Sequence, residues 1–134
     1  MNYYKGKYSV DRENRKNEWL VGPFMNERGP DYRGTKHMAI KFWEFKKDKP
    51  KEHNTKFQRF CTECTILLSG KLKAMIDNEE FEFNAGEYVV IPPNIKSNLA
   101  IELLTDKAEG ITIKAPSFIL PKVELGTSDD TVKL

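Results

Sequence analysis

Two glycine-ended patterns bracket a hairpin, and that arrangement limits the fold more than anything else in the chain. Glu63 is followed by six residues and then Gly70, and Gly86 is followed by five residues and then Pro92, Pro93 and Asn94. Between the two glycines, segments 71–76 and 79–83 flank Asp77 and Asn78, the spacing of a two-residue β-hairpin turn. The side chains set the register. With Asp77 and Asn78 as the loop, Leu72 faces Phe83, Ala74 faces Phe81 and Lys73 faces Glu82. Apolar groups then meet on one side and opposite charges on the other. A slip of one residue would exchange the faces and lose both sets of pairs.

Much of the remaining chain follows the same two-residue period. Residues 36–45 alternate, with Met38, Ile40 and Phe42 on one greasy side and His37, Ala39, Lys41 and Trp43 on the other. Segments 62–68, 87–91, 97–104 and 110–115 read as further strands, punctuated by Gly and Pro. No helical period is sustained, and residues 1–17 read as polar and irregular. Short strands with frequent turn signals predict an all-β sandwich or barrel. At 134 residues the chain is expected to form one domain. Residues 1–34 supply an N-terminal arm and first strands packing on the barrel, 35–120 the barrel itself, and 121–134 a polar peripheral tail.

Charge and composition exclude some classes of function. The net charge of +2 predicts no general affinity for nucleic acid. No run approaches 18 apolar residues, so no membrane helix is expected. The first residues lack the apolar segment of a secretory signal, so a cytoplasmic location is expected. Residues 1–60 carry 15 Lys and Arg against 8 Asp and Glu, and residues 61–134 carry 7 against 12. That imbalance fits either solvated faces or an arm that meets an acidic surface, such as that of a second copy. Cys61 and Cys64 stand three apart at the start of an apolar β-like run. They therefore point to opposite faces of a strand and are expected to be reduced and unpaired. A Cys-x-x-Cys redox pair would need a helix N-terminus instead.

The two patterns resemble the halves of the cupin signature, Gly-x5-His-x-His-x3–4-Glu-x6-Gly and Gly-x5-Pro-x-Gly-x2-His-x3-Asn, over roughly residues 35–115. Glu63 and Gly70 take the places of the first motif's Glu and last Gly, and Gly86 and Pro92 those of the second motif's first Gly and Pro. The resemblance implies a jelly-roll β-barrel, the double-stranded β-helix. It also implies a metal site, and here the chain departs from the pattern. With a four-residue spacer the first motif's two His positions hold Lys56 and Gln58, and with three they hold Phe57 and Arg59. The second motif's His position holds Ser97, its Gly position Asn94 and its last Asn position Ile101. Only Glu63 remains of four ligands. A divalent transition metal needs three or four ligands, mostly imidazole, and a carboxylate beside Lys56 and Arg59 pairs with them instead. A substitute set of His37, His53, Cys61 and Glu63 has suitable residue types but no supporting spacing. No metal and no cofactor are expected.

Several functions stay open at this point. One is a metal-free domain that binds a small, anionic metabolite in the barrel, with Lys56, Gln58, Arg59, Glu63 and Ser97 as polar anchors. Another is a metal-independent epimerase or isomerase acting on a sugar or keto compound, with Glu63 as base and Tyr88 or Lys41 as acid. A third is a metal-dependent enzyme with atypical ligands. Trp19 and Trp43 either line such a cavity or fill the core. A homodimer formed by sheet augmentation is expected alongside any of these, with no nucleic-acid or membrane partner.

Overall fold

The computed structural model describes residues 3–14, 19–23, 25, 33–50, 53–117 and 131–134. Residues 121–130 of the expected tail lie outside the described residues. The elements run α1 (Tyr8–Asn14), β1 (Trp19–Val21), β2 (Ala39–Lys46), β3 (Lys56–Gln58), β4 (Thr62–Ser69), β5 (Lys71–Ile76), β6 (Glu79–Asn84), β7 (Tyr88–Ile91), β8 (Ser97–Leu103), β9 (Lys107–Ala115) and β10 (Thr131–Lys133). The strands form two five-stranded sheets, one in the order β1-β2-β9-β4-β7 and the other β10-β3-β8-β5-β6. Every pairing among the described strands is antiparallel. The fold is all-β, as the strand pattern predicts, in the double-stranded β-helix arrangement that the resemblance implies.

The central hairpin forms in the expected register, with Leu72 opposite Phe83, Lys73 opposite Glu82 and Ala74 opposite Phe81. Its turn residues both take positive φ, 52° at Asp77 and 66° at Asn78. That is the geometry that lets a two-residue turn follow the twist of its strands. The glycine that ends the first pattern is doubly constrained. Gly70 has φ 85°, and a Cβ there would overlap the Lys107 carbonyl and Ala108 of β9. Asn94, in place of the second motif's inner glycine, has φ 66°, a conformation asparagine tolerates better than most residues.

Between the sheets lies an apolar core built on Leu67, Leu72, Ala74, Phe83, Ile91 and Ala108. Beside it two inward rows turn polar, and there a cavity lies that shares Leu72, Trp43 and Leu99 with the core.

Two expectations change, and the facing of β2 is settled. Residues 8–14 form a helix, α1, too short to show a helical period in the sequence. Its Tyr8 stacks on Phe42 with ring centroids 4.4 Å apart, and Arg12 lies over the same ring and 3.7 Å from Glu44. The greasy side of β2 is therefore its outer face, with Phe42 covered by the helix and Met38 exposed. The side carrying Ala39, Lys41 and Trp43 is the one that faces inward. Finally, residues 131–134 are not peripheral: β10 pairs with β3, and Thr131 is buried. Among the described residues no helix is long and apolar enough to cross a membrane.

Candidate functional site

The inner face of the first sheet can be read row by row from its register. One row places Ala39, Lys114, Glu63 and Ile91 side by side on β2, β9, β4 and β7. The next places Trp19, Lys41, Thr112, Thr65 and Val89 across all five strands. The third places Trp43, Gly110 and Leu67 together. Polar side chains are thus confined to two neighbouring rows. Period-two alternation directs them inward because the isoleucines between them, Ile111 and Ile113, take the outer face.

These rows wall a cavity of about 110 Å³, closed from the opposite sheet by Lys56, Leu72, Leu99 and Ala100, with His53 and Phe45 at its side. The volume is below the 300–1,000 Å³ usual for drug-sized ligands. It suits a small metabolite.

Glu63 is the carboxylate at its centre, 3% exposed. Lys56 Nζ donates to Glu63 Oε1 at 2.8 Å, and Lys114 is its direct neighbour across β4 and β9. Burial by itself pushes the Glu63 carboxyl up. The charges of Lys56 and Lys114, with the Lys56 hydrogen bond, outweigh burial and hold it below the usual carboxylate range. Glu63 is therefore ionised at neutral pH. Lys114 Nζ also donates to Thr131 Oγ1 at 3.0 Å, and Thr131 donates to Gln58 Oε1 at 2.8 Å, which ties β10 to the cavity wall. Two lysines approach the Trp19 ring, with Lys41 Nζ 5.7 Å and Lys114 Nζ 5.4 Å from its centroid. Trp43 donates from Nε1 to Thr112 Oγ1 at 3.0 Å, and Thr112 shares a 2.9 Å hydrogen bond with Thr65. Gly110 makes room for the Trp43 indole, because a Cβ there would overlap it.

His53 holds the one imidazole in the cavity wall among the described residues. Its Nδ1 is 2.9 Å from Asn98 Oδ1, and Asn98 Nδ2 donates to the His53 carbonyl at 3.1 Å. Burial lowers the His53 pKa, and the charges of Lys56 and Lys41 lower it further. The Asn98 bond and Glu63 oppose them but do not prevail. The imidazole is neutral at neutral pH.

The expected site residues divide into three groups. Lys56 and Glu63 both reach the cavity, so the four-residue spacer is the one the fold uses. Gln58 and Ser97 are buried beside it: Ser97 pairs with Lys56 across β3 and β8, and Gln58 pairs with Thr131 across β3 and β10. Arg59 and Tyr88 are elsewhere. Arg59 is exposed, 5.3 Å from the Phe60 ring centroid. Tyr88, 68% exposed, pairs with Ile66 on the outer face of the sheet. Two-residue alternation separates it from Glu63, so Glu63 and Tyr88 do not form an acid–base pair, whereas Lys41 shares the cavity with Glu63. Reading the sequence leaves out Lys114, Thr65 and Thr112 as site residues. Their signal is a shared strand parity with Glu63, which only the register of β4 and β9 reveals.

The residues at the implied metal-ligand positions do not fit a metal. Lys56 occupies the first imidazole position and donates to the surviving carboxylate, so a lysine supplies the positive charge there. Among the described residues no three His, Cys, Asp or Glu side chains come together as a ligand set. Of the substitute set, His37 is exposed on the N-terminal side of β2 and Cys61 is buried outside the cavity wall. Neither Cys61 nor Cys64 is in a disulfide.

No family model and no curated protein matches the chain. Solved structures do. An RmlC-like cupin with a double-stranded β-helix fold from Methanocaldococcus jannaschii is 23% identical, with 61% of this chain and 72% of that one covered and a TM-score of 0.51. A proposed sugar phosphate isomerase from Acidithiobacillus ferrooxidans is 16% identical, with 80% and 72% covered and a TM-score of 0.54. A nucleoside dehydratase is 13% identical, with 75% and 70% covered and a TM-score of 0.52. At these identities the likeness is one of architecture, and the chain has the double-stranded β-helix fold of the cupins.

Proposed function

We propose that this chain is a metal-free cupin-type domain that binds a small anionic metabolite in the barrel. One observation carries the reading: three lysines, Lys41, Lys56 and Lys114, share a small cavity in which Glu63 is the one carboxylate among the described wall residues. The excess of positive charge sits between tryptophan and leucine walls, where water screens it poorly. A carboxylate or phosphate complements that charge, and Trp19 and Trp43 give its carbon skeleton an apolar surface. The cavity volume restricts the ligand to a small molecule rather than a nucleotide sugar. Thermal-shift measurements at low ionic strength test the reading. Small carboxylates or phosphates should raise Tm in a saturable way beyond the effect of equal chloride, by the linkage of binding to folding. No saturable rise with any of them contradicts it.

A second reading is a metal-independent isomerase or related enzyme. It is favoured by His53, a neutral imidazole in the cavity wall and so able to accept a proton. Two of the structural relatives carry isomerase and dehydratase names, and the cupin architecture accommodates many chemistries. Turnover that disappears with His53 but survives removal of metal would favour it.

A further inference from the structure

Asn98 decides which nitrogen of His53 carries the proton. Asn98 Oδ1 accepts from the Ala100 backbone N–H at 3.1 Å, and Asn98 Nδ2 donates to the His53 carbonyl at 3.1 Å. Those two backbone groups fix the amide, since a flip would set donor against donor and acceptor against acceptor. The Asn98 atom that faces His53 Nδ1 at 2.9 Å is therefore the oxygen, and Nδ1 must be the donor. A neutral imidazole protonated at Nδ1 carries its lone pair on Nε2. Nε2 is then the polar atom that His53 can offer to the cavity it lines.

We propose that the ligand of this cavity bears a hydroxyl beside its anionic group, and that His53 is the residue that selects for it. The inference rests on the small-anion reading and narrows it to small hydroxy acids or hydroxyalkyl phosphates. The lysines answer the anion, and among the described residues the hydrogen bond of the His53 ring is the one to Asn98, made through Nδ1. A buried acceptor left unmet on ligand binding costs affinity, and a ligand hydroxyl removes that cost. The wall's two hydroxyls are already engaged with neighbours: Thr65 and Thr112 bond to each other, and Thr112 also receives the Trp43 N–H.

Calorimetric titration of the full chain at pH 7.5 tests this with matched pairs: glycolate against acetate, L-lactate against propionate, and glycerol 3-phosphate against propyl phosphate. The hydroxylated member of at least one pair should bind about tenfold more tightly. The carboxylate and phosphate pairs show which anionic group the lysines take. In His53→Phe that advantage should shrink to about twofold or less while the plain anion keeps its affinity. Long-range 1H–15N spectra of the imidazole give a second test: the free protein should show the Nδ1-protonated tautomer, and the Nε2 resonance should move with the hydroxylated ligand more than with its plain partner. Equal affinities within every pair in the unmodified protein overturn the inference and leave the anion reading standing. A preference that persists in a folded His53→Phe protein, or an Nε2 resonance that moves no more with the hydroxylated ligand than with the plain one, overturns the role of His53. Absence of binding by all six compounds overturns the anion reading itself.

Discussion

Lys56 Nζ stands 2.8 Å from Glu63 Oε1 inside the barrel, at a position where the cupin signature would place a metal-binding imidazole. The pair joins the two sheets, since Lys56 comes from β3 and Glu63 from β4. A fixed side-chain charge, with two more lysines close by, stands where the signature would hold an ion, and on this the proposal of an anion site rests.

Removing one partner of this pair leaves the other buried. Lys56→Met should lower unfolding free energy by about 3 kcal/mol, the lower end for a broken buried pair because Lys114 still faces Glu63. The double variant Lys56→Met/Glu63→Met should recover much of that loss. Denaturant unfolding of the single and double variants measures both. A loss below about 0.5 kcal/mol for the single variant would place the pair among surface-like ion pairs.

Acid should destabilise the fold in two stages. The groups facing His53 are Lys41, Lys56 and Glu63, with Asn98 on its Nδ1, and the net effect is a lowered pKa. Between that lowered value and about 6.5 the unfolded chain binds a proton that the native state refuses, so stability falls as pH falls through this window. Glu63 adds the second stage. Its native pKa is also lowered, so its contribution is complete above about 4.3 and is lost as pH drops through the native value. Tm should be flat between pH 7.5 and 8.5, decline below about 6.5, and decline more steeply below about 4.3. His53→Phe should remove the first stage. A Tm that rises as pH is lowered from about 6.5 to about 5 contradicts the assignment.

The sequence reveals the frame better than the site. The hairpin register is legible because turn residues, apolar pairs and charge pairs all agree on one alignment of 71–76 with 79–83. The pairing of Glu63 with Lys56 is among the readings that spacing allows. Lys114, Thr112 and Lys41 are harder. In β9 the isoleucines alternate with Gly110, Thr112 and Lys114, and that pattern normally means apolar residues inside and polar residues outside. Here the polar side is the inner one, because it faces a cavity instead of core. The same inversion hides the orientation of β2, whose outer Phe42 is covered by a helix too short to recognise. Nothing in the spacing places His53 in the wall, since its position there depends on a hydrogen bond to Asn98, 45 residues away.

Gly110 should tolerate no side chain. A methyl group there overlaps the Trp43 indole, which must then leave Thr112 Oγ1. Gly110→Ala should cost about 1–3 kcal/mol, the range for overpacking, and should change Trp fluorescence. Adding Trp43→Phe should relieve part of the cost. Unfolding curves of the two proteins decide whether the glycine is there for the indole. A Gly110→Ala protein as stable as the original would show that it is not.

The most direct test is titration of the protein, stripped of metal with a chelator, with small carboxylates and phosphates at low ionic strength. The account predicts saturable one-to-one binding without added metal, weakened about tenfold or more by Lys41→Met, with the charge-assisted contact as the cause. Binding that appears only after a divalent metal is restored, or no binding at all, would contradict it.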